Sequence, residues 1–211
     1  MRNGHHRAAA GFTLIELLIV IAILGLLAAV LLPEILGTRD TANRAATEAT
    51  MLQLETGCRT FSGKHGYYPP DDLKSPEAAA KIAWKADNGE NTGIESLVAF
   101  LSQSRQDGED LTGLAKNFSN TDKDDHGAEL PLLKTKERLE ITDAWGMPLA
   151  YFNKFGMEKT QQVKAPEMDA MPVKAMRRDD GTFYGATKFQ LLSAGKDQVF
   201  GTADDLVWPQ N

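Results

Sequence analysis

An apolar run dominates the start of the chain. Residues 17–32 contain no charged side chain, and only Thr13 and Glu16 interrupt the run back to Phe12. A helix of roughly 20 apolar residues crosses a bilayer core of ~30 Å. The pattern therefore predicts a transmembrane helix over residues 12–33. A cleaved secretory signal peptide is the alternative, but its apolar stretch is shorter and the residues after this run form a poor cleavage site.

The helix is predicted to continue past the apolar run to Phe61. Small and apolar side chains recur there at spacings of three and four, with charged side chains mostly between them. This stripe consists of Ala42, Ala45, Ala49, Leu52, Leu54, Cys58 and Phe61. Dense Gly and Pro residues after Gly63 end the helix. Residues 34–62 are thus its second half, packed against a globular domain of residues 63–211.

Shorter patterns after residue 63 predict an α+β domain. An apolar stripe starts a second helix over residues 93–98. Residues 149–152 and 187–193 read as two paired strands. The polar, poorly patterned stretches between these elements are predicted to be insertions: 71–92, with a short helix over 76–85, then 102–140 and 156–182.

Charge limits the partners of the chain. The net charge of the 211 residues is −6, which argues against a nucleic-acid partner because phosphate binding needs clustered Lys and Arg. Arg2 and Arg7 precede the apolar run and predict a cytoplasmic N-terminus, with the C-terminal domain across the membrane.

Cys58 is the single cysteine, so no intramolecular disulfide can form, and we expect it to behave as a small apolar residue.

The residue types that usually carry catalysis are scattered. The four histidines are His5, His6, His65 and His126, and the sequence has no Gly-rich phosphate loop and no nucleophile elbow. We therefore predict that the chain is not an enzyme.

Two acidic stretches raise the question of a cation site. Asp197, Asp204 and Asp205 lie close together near the C-terminus, and Ca²⁺ takes 6–8 oxygen ligands from carboxylates and backbone carbonyls. A plain acidic surface turn fits this spacing equally well. The acidic stretch of residues 120–127 fails the EF-hand pattern. When Asp122 is counted as the first position, the twelfth position is Leu133 rather than Glu. The stretch is predicted to be a solvated acidic loop, with a weak cation site as the alternative.

The segment Gly11-Phe12-Thr13-Leu14-Ile15-Glu16, with its basic leader and apolar run, resembles the processing site of type IV pilins and pseudopilins. The resemblance implies that residues 1–11 are a leader, which a prepilin peptidase removes between Gly11 and Phe12, and that Phe12 is then N-methylated. It implies that Glu16 faces the N-terminal amine of a neighbouring subunit during assembly. It also implies a pilin-like fold, in which a long N-terminal helix, transmembrane in its first half, packs on a small antiparallel β-sheet domain.

Three later stretches, at residues 67–69, 143–148 and the C-terminal loop, resemble the major pseudopilin of type II secretion, although Ala144 departs from that pattern. The resemblance of the loop implies a calcium site. Its implied ligands are the side chains of Asp197, Asp204 and Asp205 and the backbone carbonyls of Ala194 and Thr202, with Ser193 as a weaker candidate.

The resemblance also implies a function. The chain would be a single-pass protein of the bacterial inner membrane with a periplasmic C-terminal domain. It would polymerise with copies of itself and with other pseudopilins on an inner-membrane secretion platform, and so drive protein export across the outer membrane. The alternatives are a type IV pilin subunit for adhesion, motility or DNA uptake, and a membrane-tethered binding domain that does not polymerise.

Overall fold

A long helix forms the N-terminal part of the chain. The computed structural model describes residues 12–73, 85–102 and 111–210. Helix α1 comprises Leu14–His65, close to the predicted bounds. The chain divides into two compact units, Met1–Ala42 and Asn43–Asn211. The predicted leader, residues 1–11, lies outside the described residues, as does all but Lys85 of the short helix predicted over 76–85.

In the first unit, every side chain of residues 12–29 is exposed. The exposed fraction of the large apolar side chains ranges from 44% at Val20 to 82% at Leu14. Within the part of the chain that the structure describes, none of the helices combines the length and apolar character that a membrane crossing needs. The transmembrane assignment of residues 12–33 stays a prediction.

In the second unit, α1 buries one face. The residues of this face are Thr47, Thr50, Met51, Leu54, Cys58 and Phe61. The predicted stripe is confirmed from Leu54 onward, including the buried Cys58, but is wrong before it, because Leu52 is 52% exposed. Two residues are about 200° of rotation on a helix, so Leu52 points away from the side that Leu54 buries. The threonines take the buried positions instead.

A second helix and several short strands follow. Helix α2 comprises Thr92–Leu101, and a 3₁₀ helix comprises Leu111–Asn117. The strands of the described residues are β1 (Phe118–Ser119), β2 (Asp125–Leu130), β3 (Thr135–Glu137), β4 (Glu140–Ile141), β5 (Ala150–Asn153), β6 (Thr160–Val163), β7 (Met171–Lys174), β8 (Phe189–Ser193) and β9 (Leu206–Trp208).

All the strand pairs in these sheets are antiparallel. Three sheets have two strands each, β1–β4, β2–β3 and β6–β7, and the fourth has the order β5–β8–β9. The two strands predicted at 149–152 and 187–193 are confirmed as β5 and β8. The sequence reading missed β9 and the strands within 102–140. Strands β1, β3, β4 and β9 have only two or three residues each, and β2 is mostly polar and contains Gly127, so none of them shows a clear alternation. The predicted α+β class, with a long N-terminal helix and small antiparallel sheets, is confirmed.

The β5–β8 pair is buried on both faces. Successive side chains of a strand point to opposite faces of the sheet. Tyr151 belongs to the core that α1 and α2 form, whereas Phe152 belongs to a second core with Val163 and Val173 of the β6–β7 hairpin. The stretch 156–182, predicted to be an insertion from its polar composition, thus covers one face of the central sheet.

Helix α2 packs unusually close to this sheet. All its residues from Gly93 to Leu101 are buried, so it is covered on every side rather than along one stripe. A Cβ atom at Gly93 would overlap the backbone carbonyl oxygen of Tyr151 and the side-chain amide of Gln161. Glycine at this position therefore sets the distance between α2 and β5.

We predict that Gly93→Ala destabilises the protein by roughly 1–3 kcal/mol, because the added methyl group must push α2 away from β5. Gly63→Ala in α1 is the matched control, since a Cβ there meets no atom within 4 Å and alanine favours the helix by roughly 0.5–1 kcal/mol. The measurement is equilibrium urea unfolding of the full chain in detergent. Equal unfolding midpoints for Gly93→Ala and the wild type would contradict the close approach.

Candidate functional site

Thr13 and Glu16 cap the start of α1 reciprocally. The backbone N–H and the hydroxyl of Thr13 donate to Glu16 Oε2 at 2.9 and 2.7 Å, and the backbone N–H of Glu16 donates to Thr13 Oγ1 at 3.3 Å. This arrangement is the capping box of a Thr-x-x-Glu sequence. Sequence reasoning missed it, although the spacing of the two residues carries the signal. In the single chain, Glu16 therefore stabilises the start of its own helix.

The surface around this cap is apolar and open. Gly11 lies outside the described residues, and Phe12 is 78% exposed immediately before α1. Glu16 is the one charged residue among residues 12–29. A continuous apolar surface of this extent marks a site that a membrane or another protein covers. The predicted cleavage site, the methylation of Phe12 and the assembly role of Glu16 remain predictions.

The second predicted site is the loop of residues 194–205, which joins β8 to β9. Asp204 organises it: Oδ2 accepts the backbone N–H groups of Lys196 and Asp197 at 2.7 and 3.1 Å, and Oδ1 accepts the hydroxyl of Thr202 at 2.7 Å. These hydrogen bonds, that of Thr202 first, lower the pKa of Asp204. The carboxylate closes the loop onto its own backbone.

The other two predicted carboxylate ligands also accept bonds within the loop. Asp205 Oδ2 accepts the backbone N–H of Gly201 at 2.7 Å, and Asp197 Oδ1 accepts that of Val199 at 2.9 Å. Burial raises the pKa of Asp205. The structure thus places Asp197, Asp204 and Asp205 on one loop. They do not belong to either of the carboxylate groups that lie within 4.8 Å of one another among the described residues.

Ser193 and Ala194, the predicted ligands at the base of the loop, are buried. The hydroxyl of Ser193 donates to Asp143 Oδ2 at 2.6 Å and accepts the backbone N–H of Gly195 at 3.1 Å. It is therefore engaged inside the fold. The predicted calcium site stays a prediction for all of its residues.

Asp143 connects the base of the loop of residues 194–205 to the turn at residues 143–148. Its Oδ1 accepts the backbone N–H groups of Trp145 and Met147, both at 2.9 Å, and Gly146 has a positive φ of 91°. Burial raises the pKa of Asp143. The stretch that resembles the pseudopilin pattern is therefore a turn that supports the end of β8.

The acidic side chains that lie in groups of three among the described residues are not in the loop of residues 194–205 but around Glu95 of α2. Glu95 of α2 lies within 4.8 Å of two pairs of acidic residues, one of which contains Asp124 and the other Asp122. The prediction that residues 120–127 form a solvated loop is wrong at these positions, because Asp122 and Asp124 are half-buried and Thr121 and His126 are buried. Sequence periodicity cannot show that a buried carboxylate of α2 lies beside this loop.

Comparison with known proteins identifies the N-terminal motif and several relatives. Residues 6–32 match the family described as the prokaryotic N-terminal methylation motif. The type II secretion system core protein G of Escherichia coli (strain K12) is 24% identical over 196 residues, which cover 93% of this chain and 88% of that protein. The core protein G of Klebsiella michiganensis is 34% identical over 59 residues, which cover 28% of this chain and 42% of that protein.

A pilus protein also matches. The type IV wide pilus major component PilA4 of Thermus thermophilus is 60% identical over 43 residues, which cover 20% of this chain and 33% of that protein. The chain thus spans less than half the length of the Klebsiella and Thermus relatives. No solved structure matches the chain.

These matches confirm the predicted resemblance. The chain carries the N-terminal methylation motif and is similar to the type IV pilin and pseudopilin superfamily. Within that superfamily, the similarity that extends over most of the chain is to a core protein G of type II secretion systems.

Proposed function

We propose that the chain is a structural subunit of a type II secretion pseudopilus, and not an enzyme, and that it polymerises through the first half of α1 to drive protein export. The observation that carries this proposal is the start of α1, where an exposed apolar surface with one carboxylate lies within the N-terminal methylation motif. The similarity to core protein G over 93% of the chain supports it.

Processing and topology follow from the same segment. A prepilin peptidase removes residues 1–11 and leaves Phe12 as the methylated N-terminus. Before assembly, residues 12–33 anchor the protein in the bacterial inner membrane, with the N-terminus in the cytoplasm and the C-terminal domain in the periplasm. The apolar composition of the anchor and the basic residues before it support this arrangement.

Glu16 selects the assembly partner. A carboxylate among apolar helices is costly and is therefore paired. In the single chain it accepts two hydrogen bonds from Thr13, but no positive charge is available among residues 12–29. The amine that cleavage creates at Phe12 of a neighbouring subunit supplies this charge, and the attraction between the two groups is stronger in the apolar filament core than in water. Other pseudopilins and the inner-membrane platform are the further partners.

A calcium ion is the proposed cofactor of the C-terminal loop. The three carboxylates of Asp197, Asp204 and Asp205 lie on one irregular loop, and the backbone carbonyls of Ala194 and Thr202 complete the proposed ligand set. Hard cations prefer such oxygen ligands. The ion would replace some of the hydrogen bonds that now close the loop.

A type IV pilin is the second candidate function. Its support is the 60% identity with the wide pilus component of Thermus thermophilus, which is restricted to 43 residues. The assembly mechanism through Glu16 would be the same, and the difference would lie in what the filament does.

We predict that Glu16→Ala abolishes polymerisation but leaves membrane insertion and leader cleavage intact, because the variant loses the pairing with the neighbouring amine in addition to the capping contacts with Thr13. Thr13→Ala is the matched control, since it removes the hydroxyl of the capping box but keeps the carboxylate. Filaments are measured by shear and sedimentation after overexpression, and cleavage by intact mass. Normal filaments from Glu16→Ala would exclude the polymerisation mechanism and favour the non-polymerising tether.

Deletion of the gene separates the two filament functions. A pseudopilus subunit predicts a loss of exported proteins from the culture supernatant, measured by mass spectrometry, with unchanged surface filaments in electron micrographs. Re-expression of the wild-type gene restores export and serves as the control. Loss of surface filaments or motility with an unchanged supernatant would instead establish the pilin function.

The proposed calcium site of the C-terminal loop is tested with Asp204→Asn in the full chain in detergent. We expect calcium to raise the melting temperature of the wild type relative to EGTA, and to raise that of Asp204→Asn less, because the variant loses one charged ligand. Asp179→Asn, at an exposed carboxylate outside the loop, is the control. If calcium raises the melting temperature of all three proteins equally, the loop is not a calcium site.

A further inference from the structure

Glu95 is a buried carboxylate that accepts no hydrogen bond from the residues that the structure describes. It lies in the first turn of α2, its side chain is completely buried, and neither carboxylate oxygen has a hydrogen-bond partner among the described residues. An unpaired buried carboxylate is among the most costly groups in a folded protein. The surroundings of Glu95 therefore have to supply either a proton or a positive charge.

Four other carboxylates surround Glu95 in two groups. One oxygen each of Asp87, Glu95 and Asp124 lie within 4.8 Å of one another, and the same is true of Glu95, Asp122 and Glu140. Glu95 belongs to both groups and is their centre. We call these five residues the interior carboxylate cluster.

Hydrogen bonds hold the outer oxygens of the cluster in place. Asp87 Oδ2 accepts the hydroxyl of Thr92 at 2.7 Å, and Asp122 Oδ2 accepts the amide of Asn88 at 2.9 Å. Glu140 Oε1 accepts the Asn91 amide at 2.9 Å. Neighbouring donors other than Glu95 thus hold these three carboxylates in place.

The inner oxygens lack such donors. The Oδ1 atoms of Asp122 and Asp124 are buried and, like both oxygens of Glu95, have no hydrogen-bond partner among the described residues. Four oxygens without a hydrogen-bond partner among the described residues therefore belong to three carboxylates of the cluster, and Glu95 shares a group with each of the other two. Native proteins leave few buried polar atoms unsatisfied, so a concentration of this kind indicates a missing ligand.

One guanidinium accompanies the five carboxylates. The buried Arg138 pairs with Asp124 at 2.8 Å and with Asp87 at 3.2 Å. The nearby lysines Lys85 and Lys164 pair with Asp125 and Glu90, outside the cluster. The positive charge that these contacts bring to the cluster does not balance its carboxylates.

Burial and the neighbouring carboxylates raise the pKa of Glu95 to about 11, and burial is the main cause of the raised pKa of Glu140, about 7. A proton on Glu95 would remove its charge. It would supply a single O–H donor, however, and so could not satisfy the inner oxygens of both Asp122 and Asp124.

A divalent cation bound by Glu95 would supply the positive charge that its two oxygens lack. Calcium–oxygen distances of 2.3–2.6 Å place the ligands of one ion at most about 5 Å apart, and one oxygen from each member of either group lies within 4.8 Å of those of the other two. A ligand set that consists of carboxylates on irregular backbone suits Ca²⁺ better than Mg²⁺, which keeps several waters. A groove of about 220 Å³ is lined in part by Thr92 and by Asp87, which is a member of the cluster.

We propose that the interior carboxylate cluster binds a calcium-class divalent cation, with Glu95 as the central ligand and Asp122 and Glu140 as its partners, because Arg138 already pairs with Asp87 and Asp124 of the other group. This site is separate from the loop of residues 194–205 and does not depend on the proposed pseudopilus function. The ion joins α2 to the β1–β4 segment, whose strands are only a few residues long and supply few hydrogen bonds of their own.

The test counts bound calcium. The full chain in detergent is freed of metal with EGTA and dialysed against radioactive calcium at up to roughly 1 mM, the range of extracellular calcium modules. Glu95→Gln keeps the size of the side chain but removes its charge. Glu129→Gln, at an exposed glutamate of β2, is the matched control, and Asp204→Asn reports on the C-terminal loop.

We expect Glu95→Gln to bind one calcium ion fewer than the wild type, and Glu129→Gln to bind as many as the wild type. If both proposed sites bind, Asp204→Asn retains one ion; if only the interior cluster binds, the wild type has one ion and Glu95→Gln has none. The two calcium proposals therefore fail separately.

Equal calcium content in Glu95→Gln and the wild type overturns the inference. Complete loss of calcium in Asp204→Asn, whose interior cluster is intact, also overturns it. If Glu95→Gln loses its near-ultraviolet circular dichroism, Asp122→Asn replaces it with the same expected loss. Preferential binding of Mg²⁺ in a competition experiment would contradict the calcium class.

Discussion

The second unit depends on a central strand pair that is buried on both faces. Every position of β5 and β8 is buried, so the pair needs a cover on each side. Helices α1 and α2 form one cover, and the β6–β7 hairpin forms the other. Because β8 continues into the loop of residues 194–205, the same pair fixes the base of the proposed calcium loop. The polar stretch that contains the hairpin is therefore part of the core.

Acidic side chains lie in two different environments in this fold. In the C-terminal loop, Asp204 accepts local hydrogen bonds that favour its charged form and lower its pKa. Glu95 is buried and has no such donor among the described residues, and burial raises its pKa. A cation at the loop would compete with hydrogen bonds that already exist, whereas a cation at Glu95 would satisfy atoms that have none. The second environment thus gives the stronger structural reason for binding.

The start of α1 has an apolar surface that the described chain does not cover. Helices that are apolar on all sides are found in membranes or inside large assemblies. Glu16 has a local structural role there, because it caps the helix together with Thr13. Effects of Glu16 variants on assembly therefore have to be separated from effects on the helix itself. A Thr13→Ala variant makes this separation feasible, because it removes the capping hydroxyl and keeps the Glu16 carboxylate.

The sequence by itself determined the long helix, α2, the strands β5 and β8 and the N-terminal motif. Periodicity and turn chemistry are local properties, and the capping box at Thr13 could have been found in the same way. Only the tertiary structure decided that Leu52 is exposed, that β9 pairs with β8, and that Glu95 meets Asp122 and Asp124. These features depend on how distant segments pack against each other, and the spacing of residues along one segment carries no information about that packing.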